Sequence, residues 1–360
     1  MVRSILIGAV AALVAVIPAA SWRLLPQVPW FHPAAAFAAV AVAVLFAAPW
    51  ASGARYLGLP NLIQHAHLPP EGASAGRWPR RALVTWLLTM AGLPVGPEGA
   101  AAEAAQSLAN GTRPRSSRWF EQYRRTDAAT SLASAVSAAF GAPFAGILLP
   151  LELGIGGRVI SSVAGALTAF AVSDFARGLA GVPAARGGYA SLTMMSGEFL
   201  LRAAIPVLMT VAIATAVALG LMVFASQARA ALQGFAGRNA RLSAAIGGAV
   251  ALAVLLAYPP AQQPMSLTFS RIFTAKQPML PVSLLLLSLF LGWVALRSSI
   301  GSLGGFWPLM AIGGACGAIA ADLLEVSRAL PVLAGAAAVW GAVLGAPLAA
   351  GVLAYELSGE

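Results

Sequence analysis

Charged residues are scarce in this chain. Only 9% of its 360 residues are Asp, Glu, Lys or Arg, whereas soluble domains average about 25%. Hydrophobic residues make up 59% of the chain and the mean hydropathy is +0.82. A water-soluble core cannot hide this much apolar surface, so the composition predicts a multi-pass integral membrane protein. At roughly 20 residues per span, the chain allows about ten to twelve helical segments.

Residues that bind metals or act as nucleophiles are also rare. Cys316 is the single cysteine, so a disulfide within the chain is excluded. Two histidines, His65 and His67, lie close together in sequence and near Glu71. No third strong ligand follows at metal-site spacing. The chain has no HExxH motif and no histidine inside its apolar segments. We therefore expect no metal, no cofactor and no intramembrane enzyme.

The positive charge has a simple explanation in a membrane protein. The formal net charge is +10, and the densest basic cluster contains Arg113, Arg115, Arg118, Arg124 and Arg125. Basic residues in short loops beside spans mark the cytoplasmic side of the membrane. We therefore expect no nucleic-acid partner, and attraction of an anionic substrate is a secondary effect of the same charge.

One thirteen-residue segment occurs twice. Residues 141–153 read GAPFAGILLPLEL, residues 345–357 read GAPLAAGVLAYEL, and seven of the thirteen positions are identical. Such a repeat indicates one transmembrane domain, 1–360, made of two homologous halves, 1–182 and 183–360. Repeats of this kind place a substrate site between the halves, near the bilayer midplane.

Glycine and proline are too frequent for smooth spans. The chain has 37 Gly and 24 Pro, which indicates an all-α membrane protein with broken and re-entrant helices. Residues 99–110 are typical of a half-length helix, because they are Ala-rich, short and followed by glycine.

Glu98 is the strongest functional candidate, because ionisable groups at membrane depth are costly and few. Gly96, Pro97 and Gly99 flank it, and a proline followed by apolar residues is typical of a helix start. A helix N-terminus attracts anions, and a tethered carboxylate there can compete with a substrate anion and take up a proton. The alternative is a first-turn glutamate that only stabilises its own helix.

Three further glutamates lie in or beside apolar segments. Glu103 follows Glu98 by five residues and therefore points to another helix face; it is a polar contact or a proton carrier. Glu152 and Glu356 occupy matched positions in the repeat, where capping or hydrogen bonding between helices is the favoured interpretation, with a proton role for Glu152 as the alternative.

Four motifs together resemble the CLC family of chloride channels and chloride/proton antiporters. GPEG at 96–99 resembles the family's G-x-E-G-P motif, and GAPFAGIL at 141–148 resembles its N-A-P-L-A-G-I-L segment. GSLGGFWPLMAIG at 301–313 is similar to G-G-x-F-A-P-x-L-A-x-G, apparently one residue short, and YLGLP at 56–60 is similar to G-S-G-I-P. The motifs occur in the family's order and cover nearly the whole chain.

The resemblance implies an inverted-topology repeat, a homodimer with a pathway in each subunit, and a place in a bacterial inner membrane. It implies that Glu98 is the external gate, which competes with the anion and carries the proton. It also implies that backbone amides near Phe306 and Trp307 hold the anion. The full set of anion-binding residues implied is Gly58, Pro60, Gly96, Pro97, Gly99, Gly305, Phe306 and Trp307.

The chain departs from the family pattern in three places. Leu57 replaces the serine of G-S-G-I-P, a position where fluoride-specialised members also depart. Leu153 replaces the second of two paired glutamates, the internal proton acceptor of the antiporters, so coupling needs water or Glu152, or is absent. The sequence stops at Glu360, where the family continues with two helices and an anion-contacting tyrosine. We therefore expect a shortened variant or a truncated chain, with a reduced dimer interface.

Anion transport across a lipid bilayer is the function that these observations favour, with chloride as the first choice. The partners we expect are chloride or fluoride, with protons if transport is coupled. A fluoride/proton antiporter and an uncoupled anion channel stay open as alternatives, as does a transport-incompetent scaffold.

Overall fold

The described part of the chain is entirely helical. The computed structural model of the protein describes residues 1–24, 31–47, 66, 78–112, 120–182, 197–236, 239–274, 278–300 and 304–358. These residues form fourteen α-helices and no strand. The helices are α1 (Val2–Leu24), α2 (Phe31–Ala47), α3 (Trp78–Met90), α4 (Glu98–Gly111), α5 (Phe120–Phe140), α6 (Pro143–Glu152), α7 (Val159–Leu179), α8 (Gly197–Ala236), α9 (Ala240–Ala257), α10 (Met265–Thr274), α11 (Met279–Ser299), α12 (Phe306–Leu323), α13 (Ala329–Leu344) and α14 (Pro347–Ser358).

Long and short helices are mixed in this fold. Among the described residues, four stretches, in α7, α8, α11 and α12, are long and apolar enough to cross a membrane. By contrast, α6 has 10 residues and spans about 15 Å, roughly half of the hydrocarbon core. The predicted half-length helix over 99–110 is α4. The estimate of ten to twelve segments was too low, because broken helices need less chain than full spans.

The two copies of the repeat begin their helices in the same way. Gly141 has φ 66° and Gly345 has φ 69°, a left-handed conformation that glycine adopts without strain. Two residues later Pro143 and Pro347 are the first residues of α6 and α14. Proline suits this position because its missing N–H has no helical partner there and its φ is already helical. The repeat is therefore a sharp turn followed by a short helix.

The two repeat helices are joined by reciprocal hydrogen bonds, from the N-terminal N–H groups of each helix to the C-terminal glutamate of the other. The carboxylate of Glu356, in the last turn of α14, accepts hydrogen bonds from the N–H groups of Phe144 (2.9 Å) and Ala145 (2.8 Å). In return, the Glu152 carboxylate at the end of α6 accepts from Leu348 N–H (2.9 Å) and Ala349 N–H (2.8 Å). The partners occupy matched positions in the two copies, so the contact has two-fold character and the helices run antiparallel.

The helix α12 lies in the middle of the molecule, and 83% of its 18 residues are buried. It packs against α13 almost backbone to backbone. A Cβ added at Gly313 would overlap the backbone of Gly335, and one at Gly317 would overlap the carbonyl of Pro331. Small residues spaced four apart allow this close approach between helices in lipid. The packing fixes the position of the α12 N-terminus.

Removing either glutamate of the α6–α14 pair is expected to destabilise the fold. In Glu152→Gln or Glu356→Gln, one accepting oxygen becomes an NH₂ group that faces helix N–H donors. We expect each change to lower the free energy of unfolding by about 1 kcal/mol, as for other lost N-caps. Thermal unfolding in detergent measures this, with the exposed Glu325→Gln as control.

The two single variants should lose similar stability, because their contacts are equivalent in the two copies. A stability unchanged in both variants would contradict the structural role of the pair.

Candidate functional site

Two glycine turns meet in front of the N-termini of α4 and α12. The N–H of Gly96 donates to the carbonyl of Gly304 at 2.7 Å, which ties the first half of the chain to the second. Gly304 has φ +27°, and a Cβ there would overlap the carbonyl oxygen of Gly96. Only glycine therefore fits position 304 without displacing the Gly96 turn.

The Glu98 carboxylate occupies the N-terminus of α12. Its Oε1 accepts hydrogen bonds from the backbone N–H groups of Phe306 (2.6 Å) and Trp307 (3.4 Å), 208 and 209 residues further along the chain. The residue is 3% exposed, and its side chain folds over Gly96, where an added Cβ would overlap the carboxylate. Its Oε2 is buried and has no hydrogen-bond partner among the described residues.

This arrangement is an anion site held by the backbone. The first N–H groups of a helix have no partner within the helix, and the helix dipole adds partial positive charge at that end. The Glu98 carboxylate satisfies these donors, as anions at helix N-termini do in general. Both hydrogen bonds to Glu98 found among the described residues come from backbone N–H groups.

Aromatic rings enclose the N-terminus of α12. The ring of Phe140 lies 4.5 Å from Trp307 and 6.4 Å from Phe306, measured between centroids. Trp340 meets Phe306 edge-on at 5.1 Å, and Phe269 meets Trp307 edge-on at 5.9 Å. All five residues are at most 2% exposed. The rings exclude water and lower the local dielectric, which strengthens the attraction between the amides and an anion.

The structure brings several of the predicted site residues together. Gly96, Glu98, Phe306 and Trp307 meet as described, and Gly305 is the residue that precedes α12. Pro97 precedes α4 and Gly99 lies buried in its first turn. Gly58 and Pro60, like Leu57, lie outside the described residues.

The remaining predicted acids lie in two different environments. Glu103 is on the Glu98 helix and is 5% exposed. Both oxygens of Glu152 accept hydrogen bonds from the N-terminus of α14, and Leu153 caps the C-terminal end of α6. Within the described ranges, no cluster of three His, Cys, Asp or Glu residues could hold a metal ion.

Sequence reasoning missed four residues of this site, which are Gly304, Phe140, Phe269 and Trp340. Gly304 carries the turn contact, and its only sequence signal was the Gly-Gly pair before Phe306. Phe140, Phe269 and Trp340 build the aromatic enclosure, but aromatic residues in apolar helices carry no signal that separates a site wall from ordinary core.

A family model described as voltage gated chloride channel matches residues 34–360. The chain belongs to this family. The integral membrane character and the all-helical fold that the sequence predicted are thereby confirmed. No curated protein gives a significant sequence match to the chain.

Solved structures share the fold of this voltage gated chloride channel family member. A crystal structure of a slow cyanobacterial Cl⁻/H⁺ antiporter has a TM-score of 0.72 and 19% identity, covering 100% of this chain and 89% of that chain. A crystal structure of a CLC-type fluoride/proton antiporter has a TM-score of 0.71 and 18% identity, and the match covers 99% of this chain and 95% of that chain. A crystal structure of a eukaryotic CLC transporter has a TM-score of 0.68 and 20% identity, and the match covers 99% of this chain and 67% of that chain. Likeness at this identity shows the fold alone.

The contact between the two glycine turns leads to a prediction. In Gly304→Ala, the new methyl group would overlap the Gly96 carbonyl at a positive φ, so the turns must separate. We expect a loss of about 2 kcal/mol in the free energy of unfolding, measured by thermal unfolding in detergent.

The matched control is Gly178→Ala in α7, where an added Cβ meets nothing within 4 Å. It should leave stability unchanged or slightly raised. Equal behaviour of the two variants would show that the Gly96–Gly304 contact is not needed.

Proposed function

We propose that this protein transports a small anion across a membrane and that Glu98 is the gate. The observation that carries the proposal is the Glu98 carboxylate on the first backbone N–H groups of α12. The carboxylate occupies donors that a free anion can use. When it leaves, the same donors are open to a substrate anion, so gate and substrate compete for one site.

The proposal includes a proton on Glu98 when it leaves the site. A carboxylate is attracted to the helix N-terminus, whereas the neutral acid is held less strongly. Oε1 accepts both amides and Oε2 has no hydrogen-bond partner among the described residues, so Oε2 is the atom that takes the proton. Protonation and anion entry then favour each other, which is the basis of exchange.

Chloride is our first choice of substrate, from the family to which the chain belongs. The fluoride/proton antiporter is the second candidate, because Leu57 replaces the family serine and one similar structure is a CLC-type fluoride/proton antiporter. An uncoupled channel is the third, because Leu153 cannot relay a proton and both oxygens of Glu152 are engaged with α14.

We further propose a homodimer in a bacterial inner membrane. The support for the membrane is the likeness to the cyanobacterial antiporter. The support for the dimer is the family resemblance and the outer face of the repeat pair. There, the matched side chains Phe144 and Leu348 are 66% and 67% exposed, and lipid is the other occupant that fits them.

The test is anion efflux from liposomes that hold the purified full chain, with chloride and fluoride compared and internal pH followed. We expect efflux of at least one halide. Uphill proton movement would identify an antiporter, and its absence a channel. In Glu98→Gln, the side chain has no charge and cannot carry the proton, so we expect proton movement to stop while anion efflux continues.

The control for Glu98→Gln is Glu325→Gln, the same chemical change at an exposed turn, which should behave as wild type. Absence of efflux for both halides would reject transport by this chain and leave the scaffold alternative. Unchanged proton and anion movement in Glu98→Gln would reject the gate.

A further inference from the structure

The indole nitrogen of Trp293 lies directly beside the N-terminus of α12. It is the heavy atom nearest to the position that a Cβ on Gly305 would occupy, at 3.3 Å. Gly305 immediately precedes Phe306, whose N–H holds the Glu98 carboxylate. The indole N–H group is therefore next to the donors of the proposed anion site.

Trp293 is also anchored against the other glycine turn. Its neighbour Gly292 packs on the ring of Pro94, with Cγ of Pro94 3.0 Å from the place of an added Cβ. Pro94 lies two residues before Gly96, the residue over which Glu98 folds. The segment 292–293 of α11 thus contacts both turns that form the site.

Trp293 is 7% exposed, and none of the hydrogen bonds found among the described residues involves its indole N–H. A donor that no protein group uses in this conformation is available to a ligand. The Glu98 carboxylate is bound through Oε1 to the backbone only. The indole N–H lies beside the anion site, but the Glu98 carboxylate does not use it. It is therefore available to a different anion.

We propose that the Trp293 indole N–H is the side-chain donor that binds the substrate anion beside the first amides of α12 after Glu98 has left. This inference rests on the proposed transport function and specifies its ligand chemistry. An indole N–H only donates, whereas a serine hydroxyl both donates and accepts. The indole therefore stabilises an anion but cannot accept a hydrogen bond from protonated Glu98. It biases the competition at the site toward the substrate.

Trp340 is a weaker candidate for the same role. Its Nε1 is buried and has no hydrogen-bond partner among the described residues. Its ring, however, meets the side chain of Phe306 edge-on, and no contact places its nitrogen beside Gly305. The position of the nitrogen, and not the presence of a tryptophan, distinguishes Trp293.

The test is calorimetric titration of the purified full chain with sodium chloride and sodium fluoride. Trp293→Phe keeps the ring and removes the N–H. Because a hydrogen bond to a charged group contributes about 1.5–3 kcal/mol, we expect affinity for the bound halide to fall about tenfold or more. The loss should be larger for fluoride, the stronger acceptor, so the ratio of the two affinities changes.

The control is Trp86→Phe on α3, the same chemical change at an indole N–H that is buried without a hydrogen-bond partner among the described residues. It should leave halide affinity within about twofold of wild type. A second variant, Gly305→Ala, keeps Trp293 but places a methyl group 3.3 Å from its nitrogen, which shields the N–H. It should also weaken binding, so the proposal stays testable if Trp293→Phe does not fold.

The outcomes separate this inference from the transport proposal. No halide binding by the wild-type protein would count against the anion site itself. Binding by wild type with unchanged affinity in Trp293→Phe would overturn only the role of the indole. An equal loss in Trp86→Phe and Trp293→Phe would overturn it as well, because the effect would then come from losing any buried indole.

Discussion

Unpaired N–H groups at helix N-termini are the constraint on which this structure depends. A broken helix in an apolar setting begins without water to satisfy its first N–H groups, so the protein must supply an acceptor. Three such N-termini each receive a glutamate from another part of the chain. Glu356 binds α6, Glu152 binds α14, and Glu98 binds α12. The broken helices therefore depend on carboxylates from elsewhere in the chain to satisfy their first N–H groups.

The same interaction has different consequences at these sites. Glu152 and Glu356 each use both oxygens, and each closes a reciprocal pair, so losing one contact leaves helix N–H groups unsatisfied. Glu98 uses one oxygen, sits over a glycine turn, and leaves its second oxygen without a hydrogen-bond partner among the described residues. The first arrangement favours permanence and the second favours exchange. The number of hydrogen-bonded oxygens therefore separates the structural role of Glu152 and Glu356 from the gating role that we propose for Glu98.

The sequence predicted the local features of this site better than its contacts. Proline and glycines around Glu98 indicated one helix N-terminus through short-range chemistry, and the family resemblance implied the second at Phe306. Which carboxylate occupies which N-terminus is decided by contacts across about 200 residues, as for Glu98 and Phe306. Helical packing alone sets those contacts. Phe140 and Trp293 were missed for the same reason, since an aromatic residue in an apolar helix has no local pattern that marks its neighbours.

A site built from backbone amides suits transport because its donors are fixed and carry partial charge. A full positive charge in this aromatic enclosure would hold a halide strongly and slow its release. Transport requires binding that is favourable enough for entry and weak enough for exit. Helix amides supply the attraction, and in our proposal the Trp293 indole N–H adds one further donor to the substrate anion. Glu98 is itself an anion on these donors. If it is the gate that we propose, its return to the amides competes with the substrate anion and so favours release.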